Sequence, residues 1–190
     1  MKIYSERVAL KAVRTYPFNL KDVKKQTDKI CLTAVKHHGM ALCYAKNQTH
    51  EICLAAVQEN GLALQYVKNQ TPEICLAAVM NCGIALKYVK EQTEEICLAA
   101  VQEDGAALQY VKNKTEEICL AALIEDCSAL QYVENQTEDM CLKTVRRNGL
   151  VLQYVRYQTP EICREALIQN IDAVNFCDPR LVLHAFIKST

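Results

Sequence analysis

Apolar residues along this chain come in short blocks at a fixed spacing. Ile96-Cys97-Leu98-Ala99-Ala100-Val101 is one block, and near-copies begin at Ile52, Ile74 and Ile118. A Thr and a charged or proline residue precede each block, a polar stretch follows it, and then comes a shorter apolar set such as Ala107, Leu108 and Val111. The whole unit recurs every 22 residues, with Thr49, Thr71, Thr93, Thr115, Thr137 and Thr159 in one phase. Such self-similarity predicts stacked supersecondary units that share a continuous core. The first block lacks alternating polar residues, and a helix apolar nearly all round is a buried one. Thr93 can accept at the N-cap, Glu94 and Glu95 suit the positive end of the dipole, and Pro72 or Pro160 fits a first helical position. A strand is rejected because caps, Gly and Ala-Ala favour helix. The unit therefore predicts a helix, a turn with Gly105 as a left-handed C-cap, and a second short helix. That second helix should bury Ala107, Leu108, Tyr110 and Val111, with Gln109, Lys112 and Asn113 outward and Lys112 in its last turn.

The predicted fold is all-α, an α-solenoid of stacked helix-turn-helix hairpins in one repeat domain over 1–190. Hairpins start near 5, 27, 49, 71, 93, 115, 137 and 159, and a capping helix covers 178–189. All five glycines, Gly39, Gly61, Gly83, Gly105 and Gly149, share the turn phase. Pro17, Cys127 and Ile171 stand in that phase elsewhere, so those turns must be built differently. The first copy is degenerate, and atypical end repeats are what capping looks like. Its Lys11, Arg14, Lys21, Lys24 and Lys25 read as a solvated cap rather than an anion site. At the other end, Asp178 and Pro179 predict an N-cap and first helical position. An exposed Phe186 or Ile187 there would favour a homodimer through the C-terminal helix.

Formal charge is zero, which gives no bulk attraction to nucleic acid or anionic membrane. No apolar run reaches membrane-spanning length, and the N-terminus has no signal-peptide core. Of eleven cysteines, seven share one phase: Cys31, Cys53, Cys75, Cys97, Cys119, Cys141 and Cys163. Helices stacked at roughly 8–10 Å hold such a series too far apart for disulfides, which need Cα atoms within about 7 Å. Free thiols in a reducing, cytoplasmic setting are expected. No metal site and no cofactor is expected, and His37 and His38 read as exposed turn residues. The Asn-x-Thr triplets at Asn47, Asn69, Asn113 and Asn135 are by-products of the turn between helices rather than glycosylation sites. No catalytic constellation emerges: serines are few, and every glycine belongs to a turn. The chain reads as a non-enzyme.

Two charge series flank the Gln-Thr turn, Lys24, Lys46, Lys68, Lys90 and Lys112 with Arg156, broken by Glu134, and Glu51, Glu73, Glu95, Glu117 and Glu161 with Asp139. They read as compensating each other, which disfavours nucleic acid as partner. The outward positions that vary between copies are better candidates for recognition. Near the end of the first helix the series runs Lys36, Gln58, Met80, Gln102, Ile124, Arg146 and Ile168. Apolar residues lined along one face would mark a contact surface for a protein or peptide. Ala55, Ala77, Ala99 and Ala121 suggest that first helices crowd on the inner side. A nucleic-acid-binding repeat and a structural component without a specific ligand are the alternatives.

The frame T-x-E-I-C-L-A-A-V-x-x-[DN]-G-x-A-L-x-Y-V, as at Thr49 to Val67, resembles a family of short helical repeats of unknown function. That family is expanded in giant viruses of amoebae and occurs in some bacteria and protists. The resemblance covers about Ser5 to Phe186. It implies a repeat scaffold, with a viral protein acting in an infected host cell as its setting, and it brings no catalytic residues. The copies at Pro17, Cys127 and Ile171 depart from the frame.

Overall fold

The computed structural model describes residues 5–186, without the side chains of His184 and Phe186. The described residues contain no β-strand, and α-helices alternate with short 3-10 helices throughout. Two compact units divide the chain, Met1–Lys112 and Asn113–Thr190. The first unit holds α1 (Glu6–Thr15), η1 (Pro17–Asp22), α2 (Asp28–His37), η2 (Gly39–Tyr44), α3 (His50–Glu59), η3 (Gly61–Tyr66), α4 (Pro72–Asn81), η4 (Gly83–Tyr88), α5 (Glu94–Glu103) and η5 (Gly105–Tyr110). The second holds α6 (Glu116–Glu125), η6 (Cys127–Tyr132), α7 (Glu138–Arg147), η7 (Gly149–Tyr154), α8 (Pro160–Gln169), η8 (Ile171–Phe176) and α9 (Pro179–Phe186). In both, successive α-helices line one side and successive η-helices the other, so the fold class is the all-α solenoid that the periodicity predicts.

The threonine caps form as their chemistry suggests. The hydroxyls of Thr49, Thr71, Thr93, Thr115, Thr137 and Thr159 accept from the amide three residues on, at 3.2–3.4 Å. Within the copy beginning at Thr93, Ile96, Cys97, Ala100 and Val101 are buried from the α-helix, and Ala107, Leu108 and Val111 from the shorter arm. Tyr110 is half-buried and Tyr44 exposed, so the tyrosines edge the core rather than fill it. The second arm is a six-residue 3-10 helix, a geometry suited to short runs. Lys112 lies beyond it, in the linker.

Gly acts differently from the left-handed cap expected. No described glycine has a positive φ. The chain reverses instead at an extended residue before it, such as Asp104 at φ −149, ψ 108. What requires glycine is proximity to the next helix. A Cβ on Gly61 would stand 2.3 Å from the Ala78 carbonyl oxygen, and one on Gly149 would stand 2.3 Å from that of Ala166. The amide of Gly61 donates to Asn81 Oδ1 at 2.6 Å, and that of Gly149 to Gln169 Oε1 at 2.5 Å. Helix and turn thus meet backbone to backbone.

A second seam joins successive linkers. In the first unit Gln48 Nε2 donates to the Tyr66 carbonyl at 2.9 Å, while Gln48 Oε1 accepts from the Lys68 amide at 3.0 Å. Gln26, Gln70 and Gln92 repeat this clamp on Tyr44 and Lys46, Tyr88 and Lys90, and Tyr110 and Lys112. In the second unit Gln136 and Gln158 do the same. The lysine series adds a staple: Lys90 Nζ donates to the Lys68 carbonyl and Lys112 Nζ to the Lys90 carbonyl, both at 2.9 Å. These cations therefore serve main-chain carbonyls of the preceding linker, where charge compensation with the Glu series was expected.

Candidate binding groove

The predicted recognition positions sit at the ninth residue of their ten-residue helices, and all are exposed. Lys36, Gln58, Met80 and Gln102 belong to the first unit; Ile124, Arg146 and Ile168 belong to the second. The apolar members are open to solvent, Met80 at 62%, Ile124 at 64% and Ile168 at 74%. Ala55, Ala77, Ala99 and Ala121 are half-buried.

Two of these positions, Ile124 and Arg146, border a groove in the second unit. It measures about 490 Å³ and runs between α6 and α7. Leu123, Met140 and Thr144 form a buried floor, and Leu120 is half-buried beside them. Lys143, Arg146 and Arg147 stand on the rim. Elsewhere in this unit α7 packs along α8 and α8 along α9, but α6 and α7 do not close to that spacing.

Three departures from the repeat meet at this junction. Cys127 occupies the glycine phase, so its Cβ points where the Thr144 carbonyl would come if the junction closed as at Gly149. Arg147 occupies the phase of Asn81 and Gln169, whose side-chain oxygens accept from the glycine amide. A guanidinium has no acceptor to offer. It donates instead across the gap, Nη1 to the Leu123 carbonyl and Nη2 to the Ile124 carbonyl, each at 2.6 Å. Lys114 replaces the clamping glutamine, and its ammonium meets Glu134 at 3.4 Å. The rim charges are partly paired: Lys143 with Asp139 at 2.7 Å and Arg146 with Glu165 at 2.9 Å.

Sequence reasoning picks out Ile124 and Arg146 but misses Leu120, Leu123, Met140, Lys143, Thr144 and Arg147. The available signal was the coincidence of Cys127, Lys114 and Arg147 in neighbouring copies.

A second groove of about 480 Å³ lies between α1 and α2, lined by Arg7, Lys11, Arg14 and Lys29 among others. Pro17 takes the turn phase there, yet α1 and α2 pack closely. A Cβ alone therefore does not hold neighbouring helices apart. Pro17 also has no amide to satisfy, unlike Cys127.

The cysteines of the seven-fold series are buried free thiols. Six of them point Sγ at a glutamine Oε1 of the linker clamp, at 3.4–3.9 Å. Burial pushes their thiol pKa values up. Cys163 is pushed up to about 12, by burial first and then by the neighbouring Cys177 and Asp178. Raised thiol pKa values mean little thiolate and low reactivity. His37 is exposed as expected, whereas His38 is half-buried with its ring edge-on to Phe18 at 4.8 Å. Among the described residues no group of three or more His, Cys, Asp or Glu converges as a metal site. No helix among the described residues is long and apolar enough to cross a membrane.

At the C-terminus, Asp178 precedes α9 and accepts from the Arg180 amide at 2.9 Å. The Arg180 guanidinium and amide hold its carboxyl down to about 2. Leu183 is 75% exposed on α9. Ile187 and the Phe186 side chain, on which a dimer contact was expected, lie outside the described residues.

A family described as a domain of unknown function (DUF4116) matches residues 27–71 and, overlapping them, 49–92. These stretches cover α2 to η4 with their linkers. No curated protein and no solved structure matches the chain.

Proposed function

We propose that this chain is a non-enzymatic repeat scaffold that binds another protein or peptide through the outer edge of its α-helices. One observation carries the reading. The core and seams recur copy after copy, while the exposed ninth helical position varies freely and places Met80, Ile124 and Ile168 in solvent. A repeat array needs no exposed apolar residue there for folding, and extended faces of such arrays serve recognition. The reduced, buried cysteines support a cytoplasmic setting. The resemblance to repeats expanded in giant viruses of amoebae supports a viral protein at work in its host. Nucleic acid is the weaker reading, since the staple lysines are already engaged on carbonyl oxygens.

The test is affinity purification from the native cell with mass spectrometry, followed by capture with the M80E/I124E/I168E variant. Loss of the captured protein is expected. Undiminished capture by the folded variant would discredit this edge, and a gel shift at low salt would favour nucleic acid instead.

A further inference from the structure

Resting on the scaffold reading, we infer that the groove between α6 and α7 is a docking site for an acidic peptide segment that inserts an apolar side chain. The groove follows from sequence departures that coincide at one junction. Cys127 denies the backbone-to-backbone approach, Arg147 cannot accept the turn amide, and Lys114 replaces a two-bond clamp by a side-chain ion pair with Glu134. At the comparable junction in the same unit, Gly149, Gln169 and Gln136 supply all three links.

The lining departs from the repeat as well. The copies beginning at Thr49, Thr71, Thr93 and Thr115 carry Ala-Ala where α7 has Lys143-Thr144. Three of those copies carry an acidic residue where α7 has Arg147. The floor is apolar, and Met140 replaces the usual Ile with a flexible side chain that adapts to varied shapes. Thr144 sits there without presenting an unpaired hydroxyl, because Oγ1 donates to the Met140 carbonyl at 2.6 Å.

Charge selects the occupant. Three cations and no carboxylate line the groove. Lys143 and Arg146 have intramolecular partners, but both side chains are more than half exposed. Such solvent-exposed pairs are weak and exchange readily for a partner's carboxylates. Arg147 ties the ends of α6 and α7 together, so the groove keeps its width while Lys143 and Arg146 remain available. An apolar anchor flanked by Asp or Glu satisfies both floor and rim. A phosphate backbone would satisfy the rim and leave the floor empty.

Phage-displayed random peptides of about 12 residues, three helical turns, supply the probe. They would be selected on the full chain, and the consensus peptide titrated by fluorescence anisotropy against four folded proteins. These are the wild type, C127G/R147Q, K143E/R146E and M80E/I168E. Expected is a consensus with Leu, Phe or Met among Asp and Glu. Its affinity should fall about tenfold or more in the first two variants, or about 1.4 kcal/mol, and hold in M80E/I168E. K143E/R146E changes exposed residues only, so it decides the matter if C127G/R147Q folds poorly. A consensus without carboxylates, an empty selection, or an affinity unchanged in K143E/R146E would overturn the proposal. Self-association by light scattering that K143E/R146E abolishes would also overturn it, naming a second copy as occupant. Peptides lost in M80E/I168E but kept by the groove variants would sink the groove while leaving the scaffold reading intact.

Discussion

The α7–α8 and α6–α7 junctions lie in one unit and are written in one 22-residue frame, yet one is sealed and the other gapes. At the sealed junction Gly149 lies against the Ala166 carbonyl, its amide reaches Gln169, and Gln136 clamps Tyr154 and Arg156. At the open one Cys127, Arg147 and Lys114 stand in those phases. Core residues hardly differ: Ile118, Cys119 and Ala122 in α6 are as buried as Ile162, Cys163 and Ala166 in α8. The lesson is that apolar burial makes the hairpins, whereas a few residues outside the apolar pattern decide how tightly neighbours close.

The comparison breaks most sharply at Gly149→Val. A side chain there must displace the Ala166 carbonyl, so the sealed pair should lose about 3 kcal/mol even where, as at Pro17, the helices stay packed. Circular dichroism in urea would show the lower midpoint, and faster amide exchange in α8 would localise it. Stability equal to wild type would mean that glycine is not what seals the pair.

Next comes Gln136→Ala, which removes partners from the Tyr154 carbonyl and the Arg156 amide at once. A loss of about 1–3 kcal/mol is expected, and the same urea titration measures it.

Alkali should act on the sealed side through Cys163. Its folded pKa of about 12 lies above the ordinary thiol value of 9.0, so above pH 9 the unfolded chain sheds a proton that the folded chain keeps. Stability from this thiol is therefore fully present below pH 9 and lost as pH rises toward 12. Unfolding midpoints should be flat through neutrality and fall above that point, and Cys163→Ser should lessen the fall.

The smallest effect belongs to Lys114→Ala at the open junction. Its pair with Glu134, itself 73% exposed, should contribute about 0–1 kcal/mol and fade in salt. A salt-insensitive loss would show that Lys114 does more than pair.

Much of this architecture was legible from residue order. Thr caps followed by Ile-Cys-Leu-Ala-Ala-Val leave little choice but a buried helix, and the threonine hydroxyls accept where capping chemistry puts them. The 3-10 character of the second arm was not legible, because six residues give too few turns to separate helix types. Gly39, Gly61, Gly83 and Gly149 read as turn residues, but for the wrong reason. A glycine needed for a positive φ and one needed for lack of a Cβ look alike in sequence, and only the neighbour's carbonyl tells them apart. The groove escaped for a related cause. Lys114, Cys127 and Arg147 are far apart along the chain, and each looks like ordinary drift until the stack brings their phases to one joint.

The glutamine clamp carries a consequence for how such a chain can grow. Each Gln reaches 18 and 20 residues ahead, and each staple lysine 22 residues back. Each clamp bond therefore spans less than one period and each staple reaches only the preceding linker, so a cut between Gln and Thr leaves each cassette with standard couplings at both ends. In-frame duplication or excision of one cassette should need no compensating change elsewhere. Length, and with it the number of variable outward positions, is then a quantity that recombination can set.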